Sequence, residues 1–179
     1  MRPNLKEEQK TTNYFLFRDE LLQNQQAMKF VDEKHPDLRQ QYRPISELPA
    51  MDHLTPHAAE FDHLVQEVQR YVPQADAAPY QGRIWLLIDN RNYSAAEGFI
   101  GFCKQTGFAT VVGERSGGND PYGEPVFFAL PNSGLVWKMD LFYPLNPDGS
   151  CNGICGPEPD IECAAADALD VCLAEINKG

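Results

Sequence analysis

Ser94 is the residue best placed to do chemistry in this chain, with Glu97 three positions on and the glycine pair Gly117-Gly118 further downstream. An apolar run, Ile84 to Ile88, precedes Ser94, and helical spacing follows it. Ser94 therefore falls where a strand end turns into a helix start. There a hydroxyl meets the positive end of a helix dipole and free backbone N–H groups. That setting suits a nucleophile whose attack creates an oxyanion. The same residues also have a purely structural reading. Ser94-Ala95-Ala96-Glu97 fits a capping box, with the serine closing the helix N-terminus and Glu97 reaching back to it.

The elements that must position Ser94 follow from the apolar pattern. Ile84 to Ile88 is short, unbroken and ended by Asp89-Asn90, which predicts a strand buried on both faces. Phe99, Ile100, Phe102 and Cys103 predict a helix over about 94–106, and Gly107 is placed to end it in a left-handed cap. Ala109 to Val112 predicts a second buried strand beside the first, joined by a right-handed crossover.

Outside this unit, Arg18 to about Lys34 reads as a helix ended by His35-Pro36. Residues 36–56 read as an irregular, proline-rich connector. Thr55-Pro56 reads as the start of a second helix, with Phe61, Leu64, Val65, Val68 and Tyr71 on one face and Pro73 as its stop. Val126–Leu130 and Leu135–Tyr143 flank Pro131-Asn132-Ser133-Gly134 and predict a β-hairpin. Phe127 and Trp137 read there as sheet core, with a groove for an extended peptide as the functional alternative. A last helix spans about Cys163 to Ile176, with Leu169, Cys172, Leu173 and Ile176 on one face. The fold class is α/β with a mixed sheet, a β-hairpin and packed helices.

Three segments in order carry a family resemblance: Asp89 with Ser94-Ala95-Ala96-Glu97, then Gly107 through Gly113-Glu114-Arg115-Ser116-Gly117-Gly118, then Gly156-Pro157-Glu158-Pro159-Asp160-Ile161. Together they resemble the catalytic domain of the carboxyl-terminal processing (tail-specific) serine proteases, and more closely their relatives with a tricorn-type core. The resemblance implies a crotonase-like core and a serine endopeptidase. Ser94 would be the nucleophile, the Ala95 N–H an oxyanion donor, and Glu97 a residue with a family counterpart that capping also explains. The loop over 115–123 would border the cleft, with Gly117, Gly118 and Asn119 as substrate-groove candidates. A peptide or protein is the implied substrate, with no cofactor and no metal.

The resemblance also exposes gaps. The processing proteases place a lysine base in the glycine-rich loop, and its position here is Asn119. Arg115 is close by, but a guanidinium does not give up its proton at workable pH. The tricorn-like branch uses an upstream histidine. His35, His53, His57 and His63 stand in no such motif and read as surface residues. The acid expected before the closing motif is missing from Asn152-Gly153-Ile154. The glycine segment for a second oxyanion donor is missing too, since Asp37-Leu38-Arg39 runs on into Gln40-Gln41-Tyr42. The expectation is a nucleophile-bearing part of a larger catalytic domain: residues 76–179 carry Ser94, and residues 1–75 form an N-terminal helical segment packing on them. The alternative is a non-catalytic ligand- or peptide-binding module on the same fold, as in the retinoid-binding relatives.

Composition bounds the rest. A chain of 179 residues with 42% hydrophobic residues can build a packed core. A net charge of −11 disfavours nucleic acid as a partner. No apolar run approaches the roughly 18 residues that span a bilayer. Met1-Arg2-Pro3-Asn4 opens no signal-peptide pattern, and an exported parent protein and a homo-oligomer both stay open. Of five cysteines, Cys103 and Cys172 fall on apolar helix faces. Cys151 and Cys155 share a loop in which a disulfide, or a metal shared with Cys163, stays open.

Overall fold

The computed structural model describes residues 5–73, 75, 78, 80–118, 125–151, 153 and 155–178. In chain order the elements are β1 (Gln9–Phe17), α1 (Asp19–Gln23), α2 (Gln25–Lys34), α3 (Leu38–Gln41), β2 (Arg43–Pro44), β3 (His63–Tyr71), β4 (Trp85–Ile88), α4 (Ala95–Thr106), β5 (Thr110–Gly113), β6 (Val126–Ala129), β7 (Val136–Met139), β8 (Tyr143–Leu145), β9 (Ile161–Glu162) and α5 (Ala168–Asn177). They form a mixed α/β structure with two compact units. The first comprises Met1–Thr12, Val68–Asp120 and Asn152–Gly179, and the second Asn13–Glu67 and Pro121–Cys151.

The first unit holds a parallel sheet in the order β4-β5-β9. Trp85 pairs with Thr110 and Ile88 with Gly113, and α4 makes the crossover between them. The β-α-β expectation is met in element order and pairing, but β4 is not buried on both faces: Ile88 is buried while Leu87 is 40% exposed. Gly107, at φ 64°, ends α4 in the left-handed conformation that glycine adopts without a Cβ penalty. Leu5, Ile88, Ile100, Phe102, Cys103, Ala109 and Val111 form the core, with the Tyr71 and Phe108 rings packed on Phe102. Asp160, in the closing motif, binds both polar groups of Val111: its N–H donates to the Val111 carbonyl (2.8 Å), and its Oδ2 accepts from the Val111 N–H (2.9 Å). Lys104 Nζ donates to Asp160 Oδ1 at 2.8 Å. That motif is a strap tying β9 and α4 to β5.

The second unit is built on an antiparallel sheet ordered β2-β3-β1-β8, with Tyr14 opposite Leu145 and Arg43 opposite Leu64. Both faces of this sheet are covered. Phe15, Phe17 and Val65 join Met28, Val31 and Phe142 on one side, while Leu16, Leu64 and Leu145 join Ala58 and Cys151 on the other.

This two-sided burial corrects the expected helix after Thr55-Pro56. Only Pro56–Glu60 turns, as a short 3-10 segment, and 63–71 is strand β3. Leu64 and Val65 are adjacent and both buried because each enters a different core, so the residues mimic helical spacing. Burying either side chain contributes on the order of 1.5–3 kcal/mol. That outweighs the few tenths per residue that separate ordinary helix propensities.

Four further expectations are corrected. The helix over 18–34 is two helices broken at Asn24, whose extended backbone ends α1 and whose side chain accepts from the Ala27 N–H to cap α2. The hairpin forms as β6 and β7, but its second strand stops at Met139, and Tyr143–Leu145 pairs with β1 instead. Phe127 and Trp137 are not sheet core: they are 62% and 55% exposed, because among the described residues β6 and β7 pair only with each other. In α5, Cys172 is buried as expected, while Leu169 and Leu173 face solvent. All five cysteines are free thiols. Among the described residues, no helix is long and apolar enough to cross a membrane.

Candidate active site

Between β4 and α4 the chain makes a tight turn held by its own side chains. Asn92 Oδ1 accepts from the Asp89 N–H (2.7 Å), Asp89 Oδ1 accepts from the Arg91 N–H (2.9 Å), and the Asn92 N–H donates to the Asp89 carbonyl (3.1 Å). Ser94 follows at φ 60°, ψ −124°, and among the described residues it is the one non-glycine with positive φ. Holding an L-residue there costs on the order of 1–3 kcal/mol, and such strain persists only where the surroundings over-determine it. A sharp strand-to-helix turn of this kind lifts a serine hydroxyl clear of its own helix.

The capping-box expectation is thereby corrected. Ser94 stands at the N-cap position but makes no side-chain cap bond. A capping residue takes an extended conformation with its oxygen turned onto the first turn, and Ser94 does not. The serine is half-buried rather than sealed in, and Ala95 beside it is exposed. Among the described residues the Ala95 N–H meets no backbone acceptor, which leaves it at the helix start as a donor.

Glu97 does not reach back to Ser94 either. It is fully buried, at 0% exposure, and turns to the glycine-rich loop. Ser116 Oγ donates to Glu97 Oε2 at 2.8 Å, and the Gly118 N–H donates to Glu97 Oε1 at 3.0 Å. The loop grips the Ser94 turn in return. The Ser94 N–H donates to the Gly118 carbonyl (3.0 Å), and the Gly117 N–H to the Asn92 carbonyl (2.7 Å). A Cβ on Gly117 would lie 2.7 Å from the Asn90 carbonyl oxygen, so this approach requires glycine. A carboxylate taken out of water is costly unless its oxygens are hydrogen-bonded. Here both are, and Glu97 also sits in the first turn of α4, where the helix dipole favours negative charge.

The structure thus brings Ser94, Ala95, Glu97, Gly117 and Gly118 together, and Asn119 lies outside the described residues. Ser116 was not singled out by sequence reasoning. Its signal was a small hydroxyl residue directly before a glycine pair. Arg115 is committed elsewhere: its guanidinium donates to the Glu158 carboxylate and the Gly156 carbonyl.

Each histidine has its own setting in the second unit. His57 Nδ1 pairs with Glu60 and His63 Nε2 with Asp19, and His63 lies against the Phe17 and Tyr42 rings. His63 and His35 are half-buried rather than at the surface, and burial pushes the His35 pKa below its usual value. Among the described residues the Ser94 hydroxyl has no base as a hydrogen-bond partner, and no cluster of acids, histidines and cysteines is arranged to hold a metal ion.

Comparison with known proteins follows the same line. The chain is similar to mature CPAF bound to lactacystin, at 15% identity and a TM-score of 0.61, over 99% of this chain and 39% of that one. Unliganded mature CPAF aligns at 15% identity and a TM-score of 0.56, over 98% and 38%. A protein of Parabacteroides merdae provisionally described as a peptidase aligns at 21% identity and a TM-score of 0.54, over 64% and 38%. At these identities the likeness is one of fold, and the chain spans under two-fifths of each of those structures. No curated protein matches. The model of peptidase family S41 matches residues 11–163, most of the chain, and the chain belongs to that family.

Proposed function

We propose that this chain carries the nucleophile of a serine endopeptidase of the tail-specific, tricorn-core-like branch, on a crotonase-like core. The observation that carries the reading is the strained backbone of Ser94, held at a helix start without a cap bond. In the proposed reaction Ser94 Oγ attacks a peptide carbonyl while its proton passes to a base. The Ala95 N–H donates to the oxyanion, and the leaving amine departs to give an acyl-enzyme that water hydrolyses.

The base and the second oxyanion donor come from polypeptide outside these 179 residues. Asn119 replaces the lysine of the processing proteases, and no described base reaches Ser94. The same gap favours a second reading, a non-catalytic peptide- or ligand-binding module. Peptide hydrolysis by a protein extended upstream, with Ser94→Ala alongside, separates the two. Cleavage that falls by several orders of magnitude in the variant supports the peptidase. No cleavage in either protein supports the binding module.

A further inference from the structure

Ser94, Gly118 and Glu97 close a ring of hydrogen bonds. The Ser94 N–H donates to the Gly118 carbonyl (3.0 Å), the Gly118 N–H donates to Glu97 Oε1 (3.0 Å), and the Glu97 N–H donates to the Ser94 carbonyl (2.8 Å). Both backbone polar groups of the strained serine are thus fixed by this ring. Its one side-chain link is a carboxylate with no exposure to solvent. The Ser116 hydroxyl, itself buried, holds the other oxygen of that carboxylate and sets its rotation.

We propose that Glu97, oriented by Ser116, is the positioning residue that keeps Ser94 at positive φ. The proposal rests on the reading of Ser94 as a nucleophile for its consequence, though not for its geometry. A helix-start serine left to itself relaxes to an extended cap and turns its hydroxyl onto the first turn. The ring prevents this by fixing the carbonyl that receives the Ser94 N–H. Glu97 takes no part in proton transfer, because both its oxygens are engaged by Ser116 and Gly118 and it is sealed from solvent. Shape and hydrogen-bonding capacity matter here more than charge. Glutamine can still accept from Gly118, and its amide can donate to a Ser116 hydroxyl that turns to accept.

The test reads the backbone of Ser94 directly, by its 13Cα and 13Cβ chemical shifts in the 179-residue chain. Glu97→Ala is expected to move these shifts to ordinary helix-cap values, Glu97→Gln to leave them in place, and Ser116→Ala to move them part of the way. In an upstream-extended protein the fluorophosphonate labelling rate should fall about a hundredfold in Glu97→Ala, the scale of a misplaced reacting group, and stay within about threefold in Glu97→Gln. Unchanged Ser94 shifts in a folded Glu97→Ala protein would overturn the proposal. If Glu97→Ala does not fold, unchanged shifts in Ser116→Ala would do the same. Equal losses in Gln and Ala would also overturn it, because charge and not shape would then be the requirement. A wild-type protein that never labels, with shifts responding as expected, would leave the positioning role standing and remove the nucleophile reading.

Discussion

The Ser116 hydroxyl donates to Glu97 Oε2 at 2.8 Å, and both residues are buried. The pair ties the glycine-rich loop to the first turn of α4, and Gly156 packs directly over it. A Cβ on Gly156 would lie 1.9 Å from Ser116 Oγ and 2.7 Å from the Ser116 carbonyl oxygen. Ser116→Ala leaves a buried carboxylate oxygen without its donor and is expected to cost about 1–3 kcal/mol in urea unfolding. Gly156→Ala should be at least as costly, since Ser116 cannot move aside and keep Glu97. Midpoints equal to wild type in both variants would show that the pair carries no load.

Asp160 offers a contrast between two substitutions. Asp160→Ala leaves the buried Val111 N–H without its side-chain acceptor, at about 1–3 kcal/mol. Asp160→Asn keeps an acceptor for that N–H and loses only the partly exposed contact with Lys104, worth about 0–1 kcal/mol. Chemical denaturation of the two variants should therefore separate them clearly. If Asn is as damaging as Ala, the ion pair and not the strap is the stabilising element.

Burial pushes the Cys103 thiol up from 9.0 to about 11, with the nearby Asp160 charge adding to the shift. At pH 8 about one part in a thousand is thiolate, so Cys103 should resist iodoacetamide in the folded protein while exposed Cys155 reacts. The shift also sets a sign for stability. Between about pH 9 and 11 the unfolded chain has lost this proton and the folded chain keeps it, so stability falls as pH rises through that window. Cys103→Ala, less stable overall, should lose that part of the slope. Alkylation of Cys103 at the rate of Cys155 under native conditions would contradict the burial.

On the hairpin, Phe127→Ser should change stability by no more than about 0.5 kcal/mol, because the ring already faces solvent. Phe17→Ala, at 1% exposure among Tyr42, His63 and Phe142, should cost about 3–5 kcal/mol. Unfolding midpoints measured side by side check this. A large loss at Phe127 would mean that the hairpin is covered in solution.

The β-α-β unit was legible in the sequence because two short apolar runs, one helical spacing and a glycine cap each leave a distinct local mark, down to Gly107. β3 was not, because a strand buried on both faces puts Leu64 beside Val65 and erases the alternation that identifies strands. That the glycine pair comes to Ser94 was legible from their order in the chain. The role of Glu97 was not, because a capping box and a buried anchor begin with the same four residues. Only the positive φ of Ser94 and the donors from Ser116 and Gly118 separate them, and those donors lie about twenty residues away in sequence.

The most direct measurement is mass-spectrometric mapping of a serine-directed fluorophosphonate adduct on an upstream-extended protein, its Ser94→Ala variant and the 179-residue chain. Expected is a single adduct on Ser94 in the extended protein, none in the variant, and labelling near background in the 179-residue chain. Removing one oxyanion donor alone costs a serine protease on the order of a hundred- to a thousandfold. An adduct that persists in Ser94→Ala, or an extended protein that stays unlabelled, would contradict Ser94 as the nucleophile. Rapid Ser94 labelling of the 179-residue chain would contradict the claim that its base lies outside these 179 residues.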